Sequence, residues 1–288
     1  MQNPFNPDSP DVYLRWREHK LAHAITDPNE LIVEVKDPSA LTAAEHDGLL
    51  VRCRRSNMAI YATRAAVDER AVQRLGAQFG LERLDANWLA GEDGISEIRV
   101  FDDGTRQHYI PYTDKPIKWH TDGYYNPPER TIRAMMLHCV RSAASGGENR
   151  LMDHEIAYLL LRDANPEHVR ALMQPDAMTI PERVDDTDGV RAAQTGPVFS
   201  INPDGTLHMR YTARTRSIAW KQDTATLAAV AMLEQLLASG TPHIHRVRLE
   251  PGMGLLCNNV LHDRAAFGDE PSYPRLLYRA RYYDRIAR

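Results

Sequence analysis

The chain has 288 residues, 43% of them hydrophobic and 26% charged, with a formal net charge of −4, enough to bury a full core in one large or two small domains. That charge gives no basic footprint for nucleic acid, and no apolar run approaches the length of a membrane span. Cys53, Cys139 and Cys257 are an odd number with no Cys-x-x-Cys pair, which argues against a disulfide framework or a zinc knuckle and for a reducing compartment.

Met1 to Pro7 shows neither a basic nor an apolar leader segment, so a cytoplasmic protein is expected. The first dozen residues, rich in Pro, Asn and Asp, predict an irregular arm. Leu31 to Val35 reads as a strand, and Thr42 with Glu45 forms a capping-box pattern that opens a helix to Arg54. Met58 to Tyr61 predicts a short buried strand, Asp68 to Phe79 a helix, and Ile95 to Val100 a strand. Thr131 to Val140 alternates and then runs apolar, the pattern of a strand buried on both faces. Short helices are expected over Glu155–Asp163 and Pro166–Met173, then strands at Val198–Ile201 and Leu207–Tyr211 around the turn Asn202-Pro203-Asp204-Gly205. Asp223 to Leu237 reads as an amphipathic helix, and the remainder is strand-like: His245–Leu249, Gly254–Cys257 and Leu276–Tyr283. Without βαβ periodicity or a Gly-rich phosphate loop, the expectation is a mainly β core with flanking helices.

The chemistry concentrates in Lys118-Trp119-His120-Thr121-Asp122-Gly123 and in Asn258-Asn259-Val260-Leu261-His262-Asp263-Arg264. Two imidazoles and one carboxylate on one octahedral face leave the opposite face open, the usual seat of a non-haem Fe(II). On a strand, His120 and Asp122 would point to the same side and converge on one ion. Asp263 would face away from His262. His138, His154, His208, His243 and His245 read as structural or exposed.

Followed by Arg275 in Pro274-Arg275-Leu276-Leu277-Tyr278-Arg279, this order of residues resembles the Fe(II)/2-oxoglutarate dioxygenases of the taurine dioxygenase (TauD/TfdA) superfamily over about residues 95–284. Locally, Gly146-Gly147-Glu148-Asn149, Met209 to Arg216, Asn259 to Phe267 and Arg281-Tyr282-Tyr283-Asp284 are similar to γ-butyrobetaine and trimethyllysine hydroxylases. Those hydroxylases usually carry an N-terminal zinc module with several Cys and a His, whereas residues 1–94 here hold only Cys53. The resemblance implies a double-stranded β-helix, or jelly roll, within one dioxygenase domain spanning 1–288, in which an N-terminal α/β part (1–94) packs on a core (95–284) with a helical insertion. It implies His120, Asp122 and His262 as iron ligands and Arg275 on the distal carboxylate of 2-oxoglutarate, which a planar guanidinium suits. With O2 as oxidant, it further implies oxidation of a C–H bond with release of succinate and carbon dioxide. Asn149 stands where many members use a Thr to contact 2-oxoglutarate. Arg279 stands where sulfonate-oxidising members grip an anion, and i, i+4 on a strand would put it on the face of Arg275.

Tyr124 and Tyr125 are candidates for an aromatic wall, of which strand alternation lets only one face the cavity. Arg210, Arg214 and Arg216 are candidates for the substrate entrance. The partner expected is a small polar metabolite, anionic or zwitterionic, and a homo-oligomer stays open. Two other readings use the same fold: a zinc hydrolase, which would leave Arg275 without purpose, and a non-catalytic metabolite-binding member.

Overall fold

The computed structural model describes residues 3–85, 94–102, 104–185, 189–214 and 218–286. Its helices among these residues are α1 (Pro10–Ala22), α2 (Ala43–Ser56), α3 (Glu69–Ala77), α4 (His154–Ala164), α5 (Pro166–Leu172) and α6 (Thr224–Ala238). The larger of two main sheets has six strands in the order Ile32–Glu34, Met58–Ala62, Met253–Cys257, Ala134–Arg141, Leu276–Tyr282, Ser96–Ile98. The smaller has four, ordered Ile244–Val247, Asn149–Met152, Leu261–Arg264, Ile117–His120. Pairing is antiparallel except between Ile32–Glu34 and Met58–Ala62, the pair that α2 connects, as a parallel pair requires a crossover. The N-terminal part therefore does more than pack on the core: it supplies two strands of the larger sheet.

Period-2 alternation explains how that sheet is buried twice. Met58, Ile60, Leu137, Cys139, Leu255, Cys257 and Leu277 face inward, against Leu151 and Val247 of the smaller sheet and Leu249 and Val260 at its strand ends. Their neighbours Ala59, Tyr61, Met136, Leu256, Ala280 and Tyr282 face outward onto Leu49 and Cys53 of α2 and Val72 and Leu75 of α3. A third cluster joins Trp119, Met152 and Leu261 on the outer face of the smaller sheet to α4, α5 and α6. The layers thus run helix, sheet, sheet, helix, a jelly-roll core with helical cover. Each fully buried Leu or Met contributes roughly 1.5–3 kcal/mol.

Local chemistry sets the element ends. Thr42 accepts from the Glu45 backbone while the Glu45 carboxylate accepts from the Thr42 backbone N–H, a complete capping box for α2, worth about 1 kcal/mol. Asp68 caps α3 and Asp223 caps α6 without the reciprocal half, their side chains accepting from the Ala71 and Thr226 N–H groups. One expectation fails early: the irregular arm ends at Ser9, and Pro10 opens α1. Proline fits the first helical turn because its missing N–H would have no partner there. The buried face of α1 carries Tyr13 and Lys20, so a charge interrupts the apolar stripe by which a helix is recognised. Lys20 is nevertheless satisfied, its ammonium lying 2.6 Å from Asp153 and 2.7 Å from Glu155.

Candidate metal centre

His120 is the last residue of its strand, and its register partner on the neighbouring strand is His262. Directly opposed residues hold their Cβ atoms about 5 Å apart, and here the two rings lie with centroids 4.2 Å apart. Trp119 and Leu261, one residue earlier on each strand, belong to the outer cluster, so both imidazoles face the interior between the sheets. The expectation that Asp122 continues this strand is corrected: it lies in the turn beyond His120. It converges all the same, with Oδ1 3.5 Å from His120 Nε2 and 3.9 Å from His262 Nε2.

Two features hold that turn. Gly123 has φ +69°, and a Cβ there would stand 2.4 Å from Ile132, so only glycine fits. Asn259, itself at φ +49°, accepts from the Asp122 N–H (2.8 Å) and donates to the carbonyls of Asp122 (2.9 Å) and Ile132 (2.8 Å). One side chain from the bend just before the His262 strand thereby fixes the backbone of the carboxylate residue. Its signal was present in the sequence, since Asn is among the few residues that tolerate positive φ, but it was not singled out.

The imidazoles are set in one tautomer. Each Nδ1 lies 2.9 Å from a carbonyl two residues earlier, Lys118 for His120 and Val260 for His262. A carbonyl can only accept, so Nδ1 carries the proton and Nε2 offers its lone pair inward. Burial, with His120 beside it, depresses the His262 pKa to about 4, so this ring is neutral at pH 7. Burial opposes the charge of Asp122, yet Arg279, His120 and Arg281 together hold its carboxyl well below the usual range. The three donor atoms lie within 4.8 Å of one another. A first-row ion with ligands at about 2.1 Å sets adjacent donors about 3 Å apart, a contraction that small side-chain rotations supply. Asp122 Oδ2 is buried without a hydrogen-bond donor, which suits a group awaiting a cation.

Around this centre the polar groups are cationic. Arg279 Nη1 stands 3.5 Å from Asp122 Oδ2. Arg281, on the same strand face, donates to Asp85 (2.6 Å) and to the Tyr125 hydroxyl (2.9 Å). Arg264 donates to the carbonyls of Pro111 and Thr113. Burial, then the charges of Arg275 and Arg279, bring its pKa down to about 9. Arg275 precedes the final strand rather than lying within it. Its backbone N–H bonds Asp269, its guanidinium packs over the Phe267 ring at 4.9 Å, and its Nη1 is buried without an acceptor. A small pocket beside it is lined by Gly146, Gly147, Asn149, Arg248 and Leu277. Gly146 turns there at φ +69°, where a Cβ would meet the Ala266 carbonyl at 2.3 Å.

The remaining sequence candidates divide. Asn149 reaches the Arg275 pocket, but its amide donates to the Asp263 carbonyl. Asp263 faces outward as expected and pairs with Arg150. Tyr124 and Tyr125 lie in the turn, so strand alternation does not apply to them. Tyr124 packs edge-on to His120 with centroids 6.5 Å apart, and Tyr125 edge-on to Tyr124 at 5.1 Å. Arg210 donates to the carbonyls of Tyr124, Met178 and Gln194, an arrangement that staples the inserted strands to the metal-site turn. Thr215 and Arg216 lie outside the described residues. A larger cleft between the N-terminal arm and Asn57, Asn258 and Arg285 lies away from the triad. No helix among the described residues is long and apolar enough to cross a membrane.

The profile of the family "Taurine catabolism dioxygenase TauD, TfdA" matches residues 29–281. A uridine-5'-phosphate dioxygenase of an Amycolatopsis species is 31% identical over 169 residues, covering 57% of this chain and 60% of that protein. A uridine-5'-phosphate dioxygenase of a Streptomyces species is 29% identical over 182 residues, 62% of this chain and 65% of that one. The chain therefore spans less than two thirds of the length of either relative. Among solved structures, the non-heme iron oxygenase OrfP in complex with Fe and alpha-ketoglutaric acid superposes with a TM-score of 0.61 at 16% identity, covering 85% of this chain and 81% of that one. Asparagine oxygenase in complex with Fe(II), 3-hydroxyasparagine and succinate gives 0.58 at 14% identity, covering 85% of each chain. At these identities the likeness is one of fold.

Proposed function

The chain belongs to the TauD/TfdA dioxygenase family, and from that premise we propose that it is a single-domain Fe(II)- and 2-oxoglutarate-dependent oxygenase of a small anionic metabolite. His120, Asp122 and His262 hold the iron. Arg275 takes the distal carboxylate of 2-oxoglutarate, and Arg279 faces an anionic group of the substrate. The relatives make a nucleoside 5'-phosphate the first substrate class to test. Iron with 2-oxoglutarate and O2 supplies the oxidation of a substrate C–H bond, with succinate and carbon dioxide as co-products.

The observation that carries this reading is the pairing of a one-carboxylate, two-imidazole face with a buried, acceptor-less arginine nearby. An orphaned guanidinium N–H costs roughly 1–3 kcal/mol or more, a cost that a carboxylate ligand removes. The protein's own work is positional. Carbonyls of Lys118 and Val260 keep both Nε2 atoms unprotonated, Asn259 fixes the carboxylate turn, and the sheets exclude water from the interior face. The arginines beside the triad favour anionic ligands over the general base a zinc hydrolase needs.

Anaerobic addition of Fe(II) and 2-oxoglutarate is expected to give a weak visible charge-transfer band that Asp122→Ala abolishes. Under air, 2-oxoglutarate should yield succinate, faster with substrate present. Absence of both signals from the intact chain would refute the oxygenase reading.

A further inference from the structure

Asp85 is a buried carboxylate, 2% exposed, to which the metal and co-substrate roles above give no part. It accepts from Arg281 Nη2 (2.6 Å), Arg130 Nη2 (2.7 Å) and the Tyr283 hydroxyl (2.6 Å). Its backbone N–H donates to the Arg281 carbonyl at 2.7 Å, beside the bridge between Leu84 and Tyr282. Asp284 ties down the same stretch by accepting from the Glu82 and Arg83 N–H groups. Main chain and side chain of Asp85 thus grip one residue of the final strand. Arg281 carries that grip to the metal centre. Its Nη1 donates to the Tyr125 hydroxyl at 2.9 Å, and Tyr125 belongs to the turn that holds Asp122. Two positions earlier on the same strand face, Arg279 Nη1 stands 3.5 Å from Asp122 Oδ2. Burial opposes the charge of Arg281, while Tyr125, Asp122 and Asp85 favour it. This guanidinium therefore lies in the field of two carboxylates, one bonded to it and the other a metal ligand.

We propose that Asp85 is a positioning residue of the metal centre, holding Arg281 against the Tyr125 hydroxyl so that this cation does not pair with Asp122 in place of the metal ion. The inference rests on the reading of His120, Asp122 and His262 as a metal site, and not on the co-substrate or the oxidation. A buried cation deprived of its carboxylate is strongly destabilising and turns to another anion. Here that anion is Asp122, whose Oδ2 has no hydrogen-bond donor. Arg281 paired there would compete with Fe(II) for the carboxylate, and metal affinity depends on such groups outside the ligand set. Asp85 does not depend on Arg281 in return, since Arg130 and Tyr283 also donate to it.

The test is anaerobic calorimetric titration of Fe(II) into the full native chain, Asp85→Asn, Arg281→Met and the double variant. Asp85→Asn keeps the shape and an acceptor for Arg130 and Tyr283. It should weaken Fe(II) binding roughly 10- to 100-fold, the usual cost of losing a group that supports a metal ligand from outside. Arg281→Met removes the competing charge and should bind Fe(II) at least as tightly as the native chain. Adding Asp85→Asn to Arg281→Met should then change the affinity by no more than about twofold, the scatter of such cycles. Asp85→Ser makes the same comparison if the asparagine variant does not fold. An equal loss in both backgrounds overturns the proposal, because Asp85 would then act as scaffold or by its own charge. Native Fe(II) affinity in Asp85→Asn overturns it too. A native chain that takes up no Fe(II) removes the metal site and the positioning role together. The expected cycle without charge-transfer band or succinate sinks the oxygenase reading alone, and band and succinate with equal losses sink the positioning role alone.

Discussion

Arg275→Ala separates a binding arginine from a structural one. In the structure this side chain is 5% exposed, its Nη1 has no acceptor, and burial lowers its pKa. The Phe267 ring lies 4.9 Å from its guanidinium, worth about 0.5–2 kcal/mol, and the Asp269 carboxylate partly offsets its burial. Against that stands the unmet desolvation of a buried cation, of similar or larger size. Removing the guanidinium should therefore leave the melting temperature of the ligand-free protein within a few degrees of native, or raise it. The effect on 2-oxoglutarate should be large. Truncating one partner of a buried charge pair costs about 2–5 kcal/mol, which is roughly a 30- to 5000-fold rise in Kd. Thermal scans with and without 2-oxoglutarate, plus titration of 2-oxoglutarate into the anaerobic Fe(II) protein, measure both quantities. A variant that melts far below native yet binds 2-oxoglutarate normally would refute the reasoning, because Arg275 would then be scaffold.

Three further outcomes follow from named contacts. Asn259→Ala removes hydrogen bonds to both backbone groups of Asp122; at about 0.5–1.5 kcal/mol each, it should weaken Fe(II) binding roughly 5- to 100-fold while the far-ultraviolet dichroism stays native, and unchanged metal affinity would show that the turn holds itself. Burial depresses the His138 pKa from 6.5 to about 4, so the unfolded chain binds more protons between those values; this stability is present above pH 6.5 and lost as pH falls toward 4, about 2 kcal/mol between pH 7 and 5. Denaturant titrations of native and His138→Gln protein at the two pH values check this, and parallel pH slopes would contradict it. Arg210→Ala frees the carbonyls of Tyr124, Met178 and Gln194 and should raise the substrate KM with little change in 2-oxoglutarate affinity, whereas an equal loss in both would place Arg210 in the scaffold of the whole centre.

What the sequence made legible was whatever a local pattern controls. Thr42 and Glu45 announced α2 because the capping box is complete within four residues. Thr131 to Val140 announced a strand buried twice because alternation and an unbroken apolar run coincide there. The convergence of His120, Asp122 and His262 was legible because both histidines sit in segments whose order resembles the family's. Long-range placement hid the rest. Lys20 belongs on the buried face of α1 only because Asp153 and Glu155, far along the chain, receive it, so no local stripe showed a helix. Asp122 looked like a strand residue, since nothing in the tripeptide reveals that Asn259 bends the backbone after His120. The carbonyl partners of Arg210 were hidden because such contacts leave no sequence pattern. Of the inserted strands, Phe199–Ile201 and Leu207–Met209 were legible around their turn, whereas Met178–Ile180, Arg183–Asp185, Gly189–Arg191 and Gln194–Gly196 are too short for a period of two to show.

These misses share a cause that bears on how the centre works. The imidazoles belong to the smaller sheet, opposed across one ladder, while Arg279 and Arg281 come from the larger sheet that faces it. The proposed metal and anion contacts therefore come from different layers, and their spacing is set by the core between them: Leu151 and Val260 on one side, Leu137, Cys257 and Leu277 on the other. Such a core is close-packed and yields little to a change of volume. The distance from the imidazoles to the arginines is thus a property of sheet packing rather than of any loop. The turn after His120 and the short strands stapled to it by Arg210 are built differently, outside that core, and the substrate contacts expected of Tyr124 and Tyr125 would fall there. If the proposed roles hold, a close-packed interior would position metal and co-substrate while a separately anchored rim met the substrate, so that substrate choice could vary without moving the oxidising centre.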